Sequence, residues 1–158
     1  MVIRPAEFGD IPAVLRIYNA GIASGLTTFE WEMRRESDIE RWFSDRYPFF
    51  VGVEEGEVLG FAVTGSYSPR PCYAGVADFS VYVDGRARGK GVGSAVLVAV
   101  MDRAREVGFH KFVGRVFSDN QPSLRLLGKL GFREVGTHHR HGQVRGAWKD
   151  VIVVECLL

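Results

Sequence analysis

Cysteine is nearly missing from this chain: only Cys72 and Cys156 occur among 158 residues. That excludes a dense disulfide scaffold and a metal site built from four thiolates. An excess of charge is also missing. Lys and Arg number 20 against 19 Asp and Glu, a formal net charge of +1. Without an overall basic field, nucleic acid is not an expected partner. No apolar run approaches the roughly 20 residues that cross a bilayer. The start, MVIRPAEFGD, carries acids where a secretory leader has an apolar core. The expectation is a cytoplasmic protein with no membrane partner, organised as one domain over residues 1–158. A chain of this length buries about 70% of its extended-chain surface, so its core needs no metal or disulfide.

Glycine, by contrast, is plentiful: 19 residues, about 12% against a usual ~7%. Its placement punctuates the chain. Val2 to Arg4 reads as a first strand, and Asp10 caps an expected helix over Ile11 to Asn19 that Gly21 ends. Ser37 and Glu40 form the spacing of a capping box before a short helix. Phe49 to Glu54 and Val58 to Tyr67 flank Glu55-Gly56-Glu57, a hairpin signal. After a Pro/Gly-rich loop over Ser68 to Gly75, Val76 to Val83 is a strand. Ser94 to Val107 is a helix, its apolar positions repeating at three and four. Lys111 to Val116 is a strand and Ser123 to Leu130 a short helix. Phe132 to Arg140 and Trp148 to Cys156 are late strands joined by a His/Arg/Gly-rich segment. Hairpins beside strand–helix–strand crossovers predict an α/β fold of the α+β kind with a mixed sheet.

The densest glycine cluster joins a strand to a helix: Val83-Asp84-Gly85-Arg86-Ala87-Arg88-Gly89-Lys90-Gly91-Val92-Gly93-Ser94. Glycines there allow a ligand close to the backbone N–H groups. A helix N-terminus favours anions, and Arg86, Arg88 and Lys90 add positive charge. Local residues leave two readings open: a phosphate or pyrophosphate cradle, or a glycine-rich turn that only starts a helix. The spacing is not that of a dinucleotide fold or a P-loop.

Arg88-Gly89-Lys90-Gly91-Val92-Gly93 resembles the [QR]-x-x-G-x-[GA] acyl-CoA loop of the GNAT N-acetyltransferase superfamily. Ile17-Tyr18-Asn19, Thr27-Thr28-Phe29-Glu30, Asp45-Arg46-Tyr47-Pro48, Ser80-Val81-Tyr82-Val83, Asn120-Gln121-Pro122-Ser123, Leu130-Gly131-Phe132 and Trp148-Lys149-Asp150 are similar to its phosphinothricin/methionine sulfoximine N-acetyltransferase branch. The resemblance spans nearly the whole chain. It implies a mixed sheet in which two parallel strands, Val76–Val83 and Lys111–Val116, splay to admit acetyl-CoA. It implies that Arg88, Gly89, Lys90, Gly91, Val92, Gly93 and Ser94 hold the pyrophosphate, that Val81 and Val83 line the pantetheine arm, and that Asn120 and Ser123 contact CoA. Asn120 also reads as the cap of the helix that follows.

The same resemblance places the catalytic carboxylate at Asp78, where relatives carry glutamate. It implies direct transfer to a small-molecule amine acceptor, and a homodimer. Expected acceptor-side residues are Phe29, Glu30, Arg70 and Tyr73, with Arg145 standing where the branch has a histidine. An arginine suits a carboxylate-bearing acceptor. Leu127 stands where many relatives carry the tyrosine that protonates the leaving sulfur. Protein N-termini or polyamines are alternative acceptors, and a non-catalytic acyl-CoA sensor is the alternative of a different class. His138, His139 and His141 invite a metal reading. On a regular strand, however, His139 and His141 share a face that His138 opposes, and no carboxylate or cysteine completes the set. No metal is expected.

Overall fold

In a computed structural model that describes every residue from Met1 to Leu158, seven strands form one sheet. They are β1 (Val2–Pro5), β2 (Phe49–Glu54), β3 (Glu57–Ser66), β4 (Val76–Val83), β5 (Lys111–Phe117), β6 (Arg133–Val144) and β7 (Ala147–Leu157). Their spatial order is β1-β2-β3-β4-β5-β7-β6. Every neighbouring pair is antiparallel except β4 and β5, which are parallel. The expected mixed sheet is therefore present.

Helices cover both faces. On one face, α3 (Val92–Glu106) and α4 (Gln121–Lys129) pack on Ala62, Ala77, Phe79, Phe112, Ile152 and Val154. Val92, Val96, Leu97, Val100 and Ala104 of α3 are fully buried, each of the larger ones stabilising by roughly 1.5–3 kcal/mol. Small residues beneath let the helix lie close: a Cβ on Gly60 would come within 2.8 Å of Val92. On the other face, α1 (Ile11–Ser24) and the short α2 (Glu36–Glu40) bury Val14, Ile17, Tyr18 and Ile39 against Val51, Phe61 and Val63.

The parallel pair is short. β4 and β5 are partnered only at Val76↔Lys111, Ala77↔Phe112 and Asp78↔Val113. Beyond that, β4 stays on β3 as far as Val83↔Gly60, and β5 stays on β7 as far as Phe117↔Val151. Phe79 stands at the parting point. Its ring lies over Gly114, where a Cβ would come within 2.5 Å of it. The ring also stacks on Phe112 and tilts against Phe132, with centroids 5.7 Å and 5.0 Å away. The two strands part around this wedge.

Several boundaries differ from the sequence expectation. Helix α1 runs through Gly21 and stops at Gly25, whose φ of 66° is the left-handed cap. Gly21 is small because a Cβ there would meet the Tyr82 ring at 3.0 Å. Asp10 is the N-cap residue of α1 but makes no side-chain bond to it; its carboxylate grips Arg4 at 2.8 and 2.9 Å and accepts the Glu7 N–H, the capping-box bond of the short turn over Phe8–Asp10. Helix α2 starts at Glu36, and its capping box joins Arg35 and Asp38, with Arg35 N–H donating to Asp38, in place of the expected Ser37–Glu40 pair. The His/Arg/Gly-rich segment is strand, with only Arg145-Gly146 left as a turn at positive φ. A bulge between His138 and Gly142, with Arg140 at φ 47°, breaks the alternation of side chains. His138 and His141 therefore stack at 4.3 Å, while His139 sits 3.2 Å from Asp150.

Candidate active site

The site begins at the gap between β4 and β5. Asp84 N–H donates to Leu59 O on the β3 side at 2.8 Å. In an extended strand the next residues alternate, so the N–H and C=O groups of Val83 and Val81 point away from β3, into the gap. No strand answers them there. A buried backbone group without a partner needs a ligand or water.

The glycine loop stands at the open end of this gap. None of the backbone N–H groups from Arg88 to Ser94 donates to an acceptor within the chain. Gly89 and Gly91 have φ of 76° and 81°, and nothing lies within 4 Å of where their Cβ atoms would be. Gly93 serves packing, since a Cβ there would sit 2.8 Å from Leu126. The donors crown the N-terminus of α3, which has no side-chain cap of its own. This is the geometry an anion needs. Arg86 does not join them. It turns back to Asp84 at 3.0 Å and Glu57 at 3.4 Å. Asp84, only 6% exposed, also pairs with Arg16 at 2.7 Å and accepts Arg86 N–H at 3.0 Å. The Arg86 guanidinium, against the opposing effect of burial, together with its N–H and Arg16, holds the Asp84 carboxyl well below the usual carboxylate range. Asp84 thus fastens the root of the loop.

Val81, Asn120, Ser123 and Leu127 line the cleft together with Thr27, Tyr82 and Arg115. The side chain of Asn120 accepts Ser123 N–H at 3.3 Å, so it does cap α4. The unanswered donors, the bare glycine backbone and the strand gap together fit an extended ligand with an anionic head, as acetyl-CoA has.

Because Ala77 and Phe79 face α3, Asp78, Ser80 and Tyr82 face the α1 side. Asp78 lies at the last β4–β5 pair, 28% exposed, and accepts a hydrogen bond from the Arg115 guanidinium. Burial pushes its carboxyl up from the ordinary value, while Arg115 and the Phe79 N–H pull the other way. Such a group is suited to taking a proton. Tyr82 packs edge-on to Tyr18 at 4.9 Å and against Phe61 at 5.5 Å. Burial drives its phenol pKa upward, so it stays protonated.

The other acceptor-side residues scatter. Phe29 packs edge-on to Phe117 at 4.6 Å and fills the space above Gly142. Glu30 pairs with Arg34 at 2.8 Å, and Asn19 pins that segment through both its amide atoms to Arg34. Arg70 and Tyr73 stay together, the guanidinium 5.7 Å from the ring centroid, in the loop that enters β4 near Asp78. Arg145 donates to Ala23 O at the end of α1, which engages it with the helix terminus. Arg115 was not among the sequence candidates. The signal for it was a lone arginine inside an otherwise apolar strand stretch, Phe112-Val-Gly-Arg-Val-Phe117. No group of three or more His, Cys, Asp or Glu side chains is placed to hold a metal ion, and no helix is long and apolar enough to cross a membrane.

A sequence profile of the acetyltransferase (GNAT) family matches residues 16–132. The chain is 37% identical over 160 residues to the L-methionine sulfoximine/L-methionine sulfone acetyltransferase of Pseudomonas aeruginosa, covering 97% of this chain and 92% of that protein. Its fold is similar to the crystal structure of a ribosomal-protein-alanine N-acetyltransferase from Brucella melitensis, with a TM-score of 0.95, 31% identity and full coverage of both chains. It is also similar to a GNAT superfamily phosphinothricin acetyltransferase from Sinorhizobium meliloti in complex with acetyl-CoA. There the TM-score is 0.93 at 28% identity, over 99% of this chain and 88% of the other.

Proposed function

The chain belongs to the GNAT acetyltransferase family, and from that premise we propose that its acceptor is a small α-amino acid or analogue of the methionine sulfone, methionine sulfoximine or phosphinothricin type. The protein is an acetyl-CoA-dependent acetyltransferase of small amines. The observation that carries the reading is the pair of parted strands with a crown of unanswered N–H donors at the mouth. Support for the acceptor class comes from the relative that acetylates methionine sulfoximine and sulfone, aligned over 97% of this chain.

Acetyl-CoA supplies an acyl group activated as a thioester. The amides from Arg88 to Ser94 hold its pyrophosphate, with Arg88 and Lys90 adding charge. Val81 and Val83 pair with the pantetheine arm as a missing strand would, and Asn120 and Ser123 contact its far side. A backbone N–H at the gap donates to the carbonyl oxygen as negative charge develops there. The acceptor amine arrives protonated and must lose that proton. Asp78 takes it, through a water because its side chain is one methylene shorter than glutamate. The C–N bond then forms and the C–S bond breaks. Leu127 has no proton to give. The thiolate, of pKa about 8.5, leaves unassisted and takes its proton from water; Tyr82, whose phenol is pushed up by burial, does not supply it, and Tyr82→Phe tests this. Phe29, Glu30 and Tyr73 bound the acceptor side. Strand β6, exposed along nearly its whole length at the sheet edge and carrying the half-exposed Val135, supports a homodimer, which light scattering measures.

The likeness to a ribosomal-protein-alanine N-acetyltransferase favours a second reading, in which the acceptor is a protein N-terminus. Thiol release from acetyl-CoA, measured against methionine sulfone, methionine sulfoximine, phosphinothricin, spermidine and an alanine-initiated peptide, decides. The expected result is a kcat/KM highest for one of the amino acids. Turnover confined to the peptide or the polyamine would reject the proposal.

A further inference from the structure

Arg115 is the polar group at this site that the mechanism has not used. It stands on β5 two residues beyond the last β4–β5 pair, so no strand covers it on that side. Its side chain is 58% exposed and lines the cleft. Its one hydrogen bond goes to the Asp78 carboxylate, from a single nitrogen. The rest of the guanidinium fork makes no hydrogen bond. Asp78 is the group that must accept the acceptor's proton, so the candidate base starts out bound to a cation.

That arrangement presents a problem for a simple amine. A protonated amine would have to approach Asp78 against the positive charge of Arg115, and displacing Arg115 would leave the guanidinium without a partner. An α-amino acid removes the difficulty. It brings an ammonium and a carboxylate on one carbon, the mirror of the pair it meets. We propose that Arg115 anchors the acceptor's carboxylate, and that the amino acid enters by exchanging partners with the Asp78–Arg115 pair. The inference rests on the amino-acid reading above and assigns the residue that enforces it.

In the exchanged state the four charges alternate: Asp78 carboxylate, acceptor ammonium, acceptor carboxylate, Arg115 guanidinium. The zwitterion adds no net charge, so each desolvated group keeps an opposite neighbour. The planar fork of an arginine matches a carboxylate bidentately, where it now meets Asp78 through one nitrogen. Burial is already the largest influence on Asp78, and in the exchange the ammonium takes over the opposing role of Arg115, so the carboxylate stays disposed to take a proton. The other cations of this end are engaged differently. Arg34 pairs with Glu30, Arg145 donates to Ala23 O, and Arg70 lies over Tyr73. Arg70 is therefore the rival anchor.

The test compares methionine sulfone with its carboxamide as acceptors for the wild type, Arg115→Ala, Arg115→Lys and Arg70→Ala. The wild type is expected to prefer the free acid. In Arg115→Ala, KM for the free acid rises roughly 30-fold or more, while KM for the carboxamide stays within about threefold, so the preference collapses. Arg115→Lys restores part of it, having the charge without the fork. Acetyl-CoA affinity by calorimetry and the melting temperature report whether the variants fold. If Arg115→Ala fails that check, Arg115→Gln, closer in shape, takes its place. Equal losses for both acceptors, or a preference that collapses in Arg70→Ala alone, overturn the proposal. A wild type that acetylates only the peptide or spermidine sinks the amino-acid reading itself. One that prefers the free acid whether or not Arg115 is present sinks only the anchor.

Discussion

The two ends of the cleft are built from different material. In the proposed site the recognising groups at the donor end are backbone: amides from Arg88 to Ser94 and the inward-facing edges of Val81 and Val83. At the acceptor end they are side chains carried by separate elements: Asp78 from β4, Arg115 from β5, Phe29 from the segment after α1, Arg70 from the loop before β4. A backbone site tolerates changes of side chain and fails when a Cβ intrudes. A side-chain site behaves the opposite way. The donor end is thus fitted to one ligand, while the acceptor end is free to be retuned by single substitutions.

Four measurements sharpen or break that contrast. The largest effect is expected at Asp78. Asp78→Ala should lower kcat by about 100- to 10,000-fold and leave acetyl-CoA affinity unchanged; a comparable loss of donor binding would show that the two ends are not separable. Next is Asp84, the one side chain on which the donor loop depends. Its folded pKa lies below the unfolded value, so its contribution to stability is complete above that value, near 4, and is lost as pH falls through the folded pKa. Thermal melts of wild type and Asp84→Asn should differ by on the order of 2 kcal/mol at pH 7 and converge in acid. A constant gap across pH would assign Asp84 a packing role only. Third, Gly91→Ala places a Cβ on a residue at φ 81°, a strain of roughly 1–2 kcal/mol. KM for acetyl-CoA should rise about tenfold, with kcat at saturating donor retained. An equal effect from Arg88→Ala would mean that charge, not backbone, holds the anion. The smallest effect is expected at Arg145, whose partner is a helix-end carbonyl. Arg145→Ala should cost under about 1 kcal/mol of stability and leave acceptor KM alone.

The same contrast explains what was legible in the residues. Strand β4 ends where expected, because a run from Val76 to Val83 leads directly into Asp84-Gly85 and the glycine loop. The loop proposed to cradle the donor is conspicuous as well, since bare backbone requires glycine at defined steps. The acceptor end hides, because pairing across the sheet depends on a register that no local pattern encodes. Asp78 and Arg115 are 37 positions apart and meet only because β4 and β5 run parallel with Asp78 beside Val113. Arg145, expected on the acceptor side, donates to Ala23 O, 122 positions away, a contact no local pattern announces. That Gly21 answers the Tyr82 ring and not a helix cap depends on a residue of another element. The stacking of His138 on His141 depends on a bulge, in which β6 spends two more residues than β7 between His138↔Val151 and Gly142↔Lys149.

The parting of β4 from β5 also has a thermodynamic reach. The sheet is short of one strand's worth of bonds beyond Asp78, and in the proposed mode of binding the donor completes it. Filling that gap is a small act of folding, and anything that binds only the folded form raises its resistance to unfolding: by about 2.7 kcal/mol when the free donor stands at 100 times its dissociation constant. The lifetime of the protein against heat and proteases therefore rises and falls with the supply of acetyl-CoA, whether or not any acceptor is present.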